Sequence, residues 1–501
     1  MTVSNATSTP NWRPAAFAIG CVALSLGVFL HLPMFVADLT AGRMLMAMAF
    51  DTAMLWGMAL ILGGTLLAAA ALWLPVAHGE AQVAIAPPLR LNARHWALIV
   101  ALVAVLVVDT MKPATLGFVV PGMSGEYGLP RAQVAWLPFA ALTGTTVGSV
   151  LWGWFADHQG RRSAILLSTL MFIGTAICGA MPTFGWNVAM CFLMGASAGG
   201  LLPVAYALLT EMLPTARRGF FLVLVGGLGA AGGFFAASGF ATLLEPVYGW
   251  RVMWLIGLPT GLVVLILSLW LPESPAYLAR VGQIDAAARS VARYGGALRP
   301  RQPGDDDDRS EHVEQGYGRY SIAILTVAGI LWGLTNFGFL LWLPTMLAER
   351  GVDIGAASQL LAASAVVAFL VILPATLLYH RLGGADALIA ALGAVALGLG
   401  WIAIAGPVAG GILLLLVGVN AVIAMLLPFA SECAPARTRG RAVGFVAAGS
   451  KSGGLIAQGA TLAGFAPSAE AATFVILVPV TALIALMLGK RHRRRQAPAT
   501  T

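Results

Sequence analysis

The stretch Gly153-Trp154-Phe155-Ala156-Asp157-His158-Gln159-Gly160-Arg161-Arg162 sets one carboxylate and two guanidiniums in a tight turn between two long apolar runs. Glycine at both ends of so short a connection lets two helices leave the turn close together. Runs this apolar need a bilayer around them, and a flanking arginine pair stays on the cytoplasmic face under the positive-inside bias. Asp157 closes the upstream helix, within reach of the arginines or of a neighbouring helix terminus. The segment predicts two antiparallel membrane helices joined by a charged cytoplasmic hinge.

The rest of the chain agrees, with 59% hydrophobic and 10% charged residues and a mean hydropathy of +0.86. Soluble domains carry about a quarter charged residues. At roughly 20 residues per span, fourteen spans are expected, near 15–36, 51–75, 96–121, 133–155, 163–181, 186–211, 219–242, 250–271, 320–347, 357–380, 384–404, 407–430, 441–463 and 470–489. An even count puts both termini on one side. The basic clusters Arg90/Arg94, Arg161/Arg162, Arg217/Arg218, Arg289/Arg293, Arg437/Arg439/Arg441 and Lys490 to Arg495 all fall there, which makes that side cytoplasmic, in a bacterial inner membrane. The opposite loops carry isolated charges such as Glu126, Arg131, Glu245 and Glu349. A net charge of +8 then reports orientation toward an anionic leaflet, not a nucleic-acid partner, and the basic tail reads as a juxtamembrane anchor. The first run is expected to stay as a helix and not to be removed as a signal peptide.

Cys21, Cys178, Cys191 and Cys433 lie in or beside spans without C-x-x-C spacing, so neither a disulfide framework nor a zinc site is expected. No Ser-His-Asp set, H-E-x-x-H, P-loop or dinucleotide fingerprint is present, so nothing supports an enzyme, an ATP-driven pump or a bound cofactor.

Two segments repeat at one offset, Glu211-Met212-Leu213-Pro214-Thr215-Ala216-Arg217-Arg218-Gly219 and Glu432-Cys433-Ala434-Pro435-Ala436-Arg437-Thr438-Arg439-Gly440. Each links two apolar runs, which implies two parallel six-helix repeats, roughly 96–280 and 319–495. The polar stretch 281–318, containing Asp305 to Asp308, is expected to be a solvated cytoplasmic linker.

The 153–162 loop resembles the G-x-L-x-D-x-x-G-R-R/K loop between the second and third helices of the major facilitator superfamily, with Phe155 in place of Leu. Pro272-Glu273-Ser274-Pro275-Ala276-Tyr277-Leu278 resembles the P-E-S-P-R-x-L element of the sugar porters and the metabolite and aromatic-acid:proton symporters, with Ala276 replacing Arg. Gly249-Trp250-Arg251 and Trp342-Leu343-Pro344-Thr345 fit the same relatives. The resemblance spans roughly residues 96–490. It implies an all-α transporter of two six-helix bundles (89–280 and 319–501) rocking about a midplane site. Asp157, Arg161, Arg162, Glu211, Arg218, Glu432 and Arg439 are its candidate gating residues, Glu211 pairing with Arg217 or Arg218. The second copy of the loop, Tyr379-His380-Arg381-Leu382-Gly383-Gly384, lacks the Asp and the arginine pair, so control is expected in the first half.

Residues 1–88 lie outside the repeat and read as an appended two-helix hairpin with a connection from Pro75 to Pro88. Met44, Met46, Met48, Met54 and Met58, near His31, Met34, Asp38 and Asp51, invite a Cu(I) reading. Methionine is also a flexible packing residue in apolar helices, and that reading is preferred, with no metal expected.

A charge near the bilayer centre costs about 2.5–3.5 kcal/mol on insertion scales, so it persists where it faces a partner or a cavity. Asp109-Thr110-Met111-Lys112-Pro113 to Pro121 resembles the D-G-x-D…G…P helix of aromatic-acid symporters, with Lys112 in place of the second Asp. Pro113 has no N–H for the carbonyl of Asp109, which is freed beside the carboxylate. Asp109 and Lys112 form either a neutralising internal pair or a proton or substrate site, and the two can coexist. Gly449-Ser450-Lys451-Ser452-Gly453-Gly454 resembles the G-R-x-G helix of the same symporters, with Lys451 for Arg. Lys451 lies too deep to snorkel, and its small neighbours leave it room to face a cavity. Cys191 stands where an R-F-L-x-G helix would carry Arg, so a scheme using that Arg does not transfer.

The expected partners are a small organic anion, aromatic or another carboxylate, together with protons and the lipid bilayer. Sugar or drug transport and a non-transporting membrane sensor are the alternatives.

Overall fold

The computed structural model describes residues 12–45, 52–72, 83–301, 319–434 and 439–465. Helices α1 (Trp12–Thr40) and α2 (Thr52–Leu72) form the appended hairpin. They touch along glycines. A Cβ on Gly27 would lie 2.5 Å from the carbonyl oxygen of Gly57, and one on Gly64 would lie 2.6 Å from that of Gly20. In lipid, where apolar burial gives no drive between helices, such close backbone approach supplies the packing. The hairpin rests on the third core helix, and the Leu45 N–H donates to the Tyr248 carbonyl at 2.9 Å. Of the copper candidates, Met46, Met48, Asp51 and the Met34 side chain lie outside the described residues. Met54 is buried and Met44 exposed.

The first half runs α3 (Ala93–Tyr127), α4 (Arg131–Val134), α5 (Trp136–Gln159), α6 (Arg161–Gly174) with a 3-10 extension (Thr175–Ala180), α7 (Phe184–Ala198), α8 (Leu201–Met212), α9 (Arg218–Tyr248), α10 (Val252–Leu255) and α11 (Gly257–Trp270). Helices α12 (Pro275–Arg280) and α13 (Ile284–Ala292) lead to the second half. That half comprises α14 (Arg319–Gly333), α15 (Leu343–Glu349), α16 (Ile354–Leu382), α17 (Gly384–Ala405), α18 (Ala409–Cys433) and α19 (Arg439–Leu462).

Each half contains a seam of small residues. A Cβ on Gly195 of α7 would lie 1.9 Å from the Ala141 carbonyl of α5, and one on Gly453 of α19 would lie 1.9 Å from the Ile330 carbonyl of α14. Gly160 and Gly383, at φ +97° and +88°, end α5 and α16 alike, so the loop repeats in backbone although its charges do not.

Among the described residues, eleven helices are long and apolar enough to cross a membrane. The α6 helix with its 3-10 extension, and the glycine-rich α19, occupy two more of the predicted spans. The expected span at 470–489 lies outside the described residues.

The described residues are mostly helical, as expected, and add one short ribbon in which β1 (Val83–Ala86) pairs antiparallel with β2 (Ala297–Pro300), Val83 facing Pro300 and Ala86 facing Ala297. The expected linker 281–318 is not a loop throughout, since α13 and β2 fill its first part. The α13 helix buries Ala287 and Val291, so this short amphipathic run has a surface to rest on. Asp305 to Asp308 lie outside the described residues.

Candidate functional site

Between the halves lies a cavity of about 230 Å³ walled by α3, α5, α8, α9, α14, α18 and α19. Three walls are locally broken, each for a legible reason. In α3, Pro113 faces the cavity and cannot donate to the Asp109 carbonyl. Between α7 and α8 the chain turns at Gly199 and Gly200. Pro203, four residues on, has no N–H for the Gly199 carbonyl, which instead accepts from Ser149 Oγ at 2.5 Å and Lys451 Nζ at 3.3 Å. Beyond α14 a π-turn (Leu334–Phe339) and a 3-10 turn (Leu340–Trp342) precede α15, presenting Asn336 and Phe337 to the cavity. Irregular backbone at membrane depth is tolerated where it lines such a space.

Asp109 and Lys451 both reach this cavity and interact electrostatically. Asp109 is 5% exposed, and its Oδ1 has no hydrogen-bond partner. Lys451, on the second half, donates to Ser149 Oγ and to the carbonyls of Thr145 and Gly199, each at 3.3 Å for the carbonyls. All three acceptors belong to the first half.

Lys112 does not join them. It is fully buried, and its Nζ donates to the Phe172 carbonyl at 2.9 Å and Thr175 Oγ1 at 2.7 Å, with the ammonium 4.2 Å from the centre of the Phe172 ring. Positions three apart are offset by about 60° around a helix, and the long lysine stem widens that angle. Lys112 thus clamps α3 to the distorted end of α6, and of the three candidate charges Asp109 and Lys451 are the two that line the cavity.

The remaining lining is mostly aliphatic and small, and set into it are the aromatic side chains Tyr206, Phe234, Trp332 and Phe337 and the amides Asn336 and Asn420. The Trp332 Nε1–H is engaged by the Val419 carbonyl at 2.8 Å, while its ring meets Phe337 edge-on at 5.7 Å. Asn420 Nδ2 donates to the Leu416 carbonyl at 2.9 Å. Sequence reasoning passed over Ser149, Tyr206, Asn420 and Trp332. Asn420, an isolated amide in the apolar run 409–430, carried the same signal as Lys451. Ser149 and Tyr206 carried none that distinguishes them from other hydroxyls in spans.

At the basic end, Arg161 Nη2 lies 3.2 Å from Asp157 Oδ1 and its Nε lies 3.8 Å from Glu211 Oε1. Glu273, absent from the candidates, is central there. Its Oε1 accepts the backbone N–H of Arg161 at 2.7 Å, of Arg162 at 3.3 Å and of Ser274 at 2.8 Å. It therefore caps the N-terminus of α6 from a remote segment. Burial pushes its carboxyl above the ordinary carboxylate range, while these N–H groups and Arg161 pull the other way. Any Cβ on Gly160 would lie 2.5 Å from Glu273 Oε2. Glu211 does not turn to Arg217 or Arg218. Its Oε2 accepts from Ser274 Oγ at 2.5 Å and from the Ala276 N–H at 3.4 Å, because the Pro272–Leu278 element packs under the end of α8. Arg162 holds the carbonyls of Ser268 and Leu269, and Arg218 Nε donates to the Leu213 carbonyl at 3.1 Å.

These contacts stay within the first half. Between halves at this end, Phe220 meets His380 edge-on at 6.1 Å, and the Glu432 carboxylate approaches Gly219 at the start of α9. The Arg439 side chain lies outside the described residues. At the opposite end Arg131 forms an ion pair with Glu349 across the halves.

The family model described as the Major Facilitator Superfamily matches residues 97–458. The niacin transporter NiaP of Acinetobacter baylyi is 27% identical over 49% of this chain and 58% of its own length. The 4-hydroxybenzoate transporter PcaK of Pseudomonas putida is 28% identical over 52% of this chain and 61% of its own. The chain thus spans about six tenths of these curated relatives. In structure it is similar to the proton:xylose symporter XylE, at a TM-score of 0.62 and 15% identity over 78% of this chain and 95% of that one. It is also similar to the human organic anion transporter MFSD10, at 0.54 and 16% over 78% and 100%. At such identities these two likenesses speak to the fold alone. Together with the apolar helices, the matches make this an integral, multi-pass membrane protein.

Proposed function

This chain belongs to the major facilitator superfamily, and we propose that it is a transporter whose cargo is a single-ring aromatic carboxylate moved with protons by alternating access. The observation that carries this reading is Lys451: a cation in the wall of the cavity, held by the uncharged oxygens of Ser149, Thr145 and Gly199. With Asp109 protonated, neutral dipoles alone would surround the ammonium, leaving it in a low-dielectric wall with a strong attraction for an anion. Trp332, Phe337 and Phe234 offer flat apolar faces for a ring. A cavity of about 150 Å³ takes a benzene ring, so one of about 230 Å³ has room for one substituted ring. The names of the relatives, which specify niacin, 4-hydroxybenzoate and gallate, fall in that class.

Lys451 also supplies the coupling between binding and movement. It sits on the second half and holds the first, so a carboxylate that draws it away from Gly199 and Ser149 weakens a bond between the halves. Asp109, with one oxygen unbonded in the same cavity, carries the coupling proton. The charged cluster around Glu273 lies on the cytoplasmic side. It keeps α5, α6, α8 and α11 moving as one body, while Phe220/His380 and Glu432/Gly219 open and close against each other.

Equilibrium binding to purified protein tests this. Charge-assisted hydrogen bonds contribute about 1.5–3 kcal/mol, so Lys451→Gln should weaken binding of benzoate-type anions by roughly 10- to 100-fold. Lys451→Arg should retain part of the affinity, because charge persists while geometry changes. Unchanged anion binding in Lys451→Gln, or equal transport of a neutral sugar by both proteins, would reject the anion reading.

A further inference from the structure

Tyr206 stands on α8, just beyond the break at Gly199 and Pro203. It lines the cavity, is 9% exposed, and its Oη is buried without a hydrogen-bond partner. The space around that hydroxyl is built for it, since a Cβ on Gly226 of α9 would lie 1.8 Å from Oη. A residue larger than glycine there would expel the hydroxyl. Buried phenol hydroxyls are ordinarily bonded, and phenylalanine would fill the same volume without stranding a polar atom.

We infer that Tyr206 Oη is a specificity-determining contact, which bonds a hydroxyl or ring nitrogen of the substrate remote from its carboxylate. This rests on the aromatic-carboxylate reading and deepens it: the favoured cargo is a ring acid with a second hydrogen-bonding group. The spacing supports the assignment. Lys451 grips the Gly199 carbonyl, and Tyr206 lies seven residues on, about 10 Å at the rise of a helix. Helical side chains lean toward the N-terminus, so the phenol leans back toward Gly199. The interval left is of the order of one substituted ring, walled by Leu202, Pro203 and Phe234. A phenol both donates and accepts, so a hydroxyl or an aromatic nitrogen satisfies it, whereas an unsubstituted ring edge leaves it stranded.

The test is equilibrium binding of benzoate, 3-hydroxybenzoate and 4-hydroxybenzoate to the full chain, which share a ring and a carboxylate and differ in the hydroxyl. Wild type should bind at least one hydroxybenzoate more tightly than benzoate. Tyr206→Phe should weaken that acid by roughly 5- to 10-fold and leave benzoate within about twofold. Equal loss for all three acids would assign Tyr206 a packing role and overturn the inference, as would no loss for any. Failure of wild type to discriminate overturns it even where Tyr206→Phe does not fold. If wild type binds none of the three while remaining folded, the aromatic-carboxylate reading itself falls, and this inference with it.

Discussion

Two lysines in membrane helices, Lys112 and Lys451, look alike in sequence and differ in what surrounds the ammonium. Lys112 is held by the Phe172 carbonyl, Thr175 and the Phe172 ring, and it is not among the residues that line the cavity. Lys112→Met should therefore leave substrate affinity within about twofold of wild type, since no binding contact is lost. A melting temperature that shifts with affinity intact would show the structural clamp, while a tenfold loss of affinity would return Lys112 to the site. Asp109 invites the complementary test. Asp109→Asn keeps the shape of the wall but removes the ionisable group of a residue that lines the cavity. Proton-driven accumulation in proteoliposomes should fall by at least tenfold, while exchange of labelled for unlabelled substrate continues. Accumulation at the wild-type rate would exclude Asp109 as the proton carrier.

The cluster around Glu273 contrasts a single exposed charge pair with a carboxylate that ties one element to another. The pair Asp157–Arg161 is spaced i,i+4, with an Asp157 side chain 60% exposed, and such pairs contribute about 0.3–0.5 kcal/mol. Glu273 accepts three backbone N–H groups and joins α6 to the segment after α11. Asp157→Asn should accordingly change flux by less than about threefold, whereas Glu273→Gln should slow it tenfold or more and lower the melting temperature. Both should keep substrate binding, because neither residue lines the cavity. A larger effect from Asp157→Asn would mean that the exposed pair, and not the cap on α6, sets the equilibrium between states. The paired breaks at Gly199/Pro203 and Leu334–Phe339 work at the same scale, freeing backbone groups where two halves meet.

Across the whole molecule, the repeat, the basic end and the appended hairpin each follow from patterns that run along the chain. No residue of α1 or α2 lines the cavity, so a chain beginning at residue 81 should bind substrate as wild type does. One beginning at residue 89 should melt at lower temperature, because it lacks the strand that pairs with Ala297–Pro300. Weak binding by the longer form while folded would give the hairpin a part in the site. Reporter fusions after Arg495 and near Ala41 should report opposite sides of the membrane, and the same side for both would dismiss the hairpin as a double span. The apolar spans and the charges Asp109 and Lys451, which the structure places in the cavity wall, were legible because hydropathy and the cost of an intramembrane charge are local properties, summed residue by residue. Tertiary structure alone decided that Lys112 turns away from Asp109, that Glu211 meets Ser274 and Arg161, that Glu273 caps α6, and that Gly226 leaves room for the Tyr206 hydroxyl. Each of these is a choice of partner between segments tens of residues or more apart, or a turn of one side chain among several neighbours. Such choices depend on which backbones approach closely in three dimensions, and no periodicity along the chain records that.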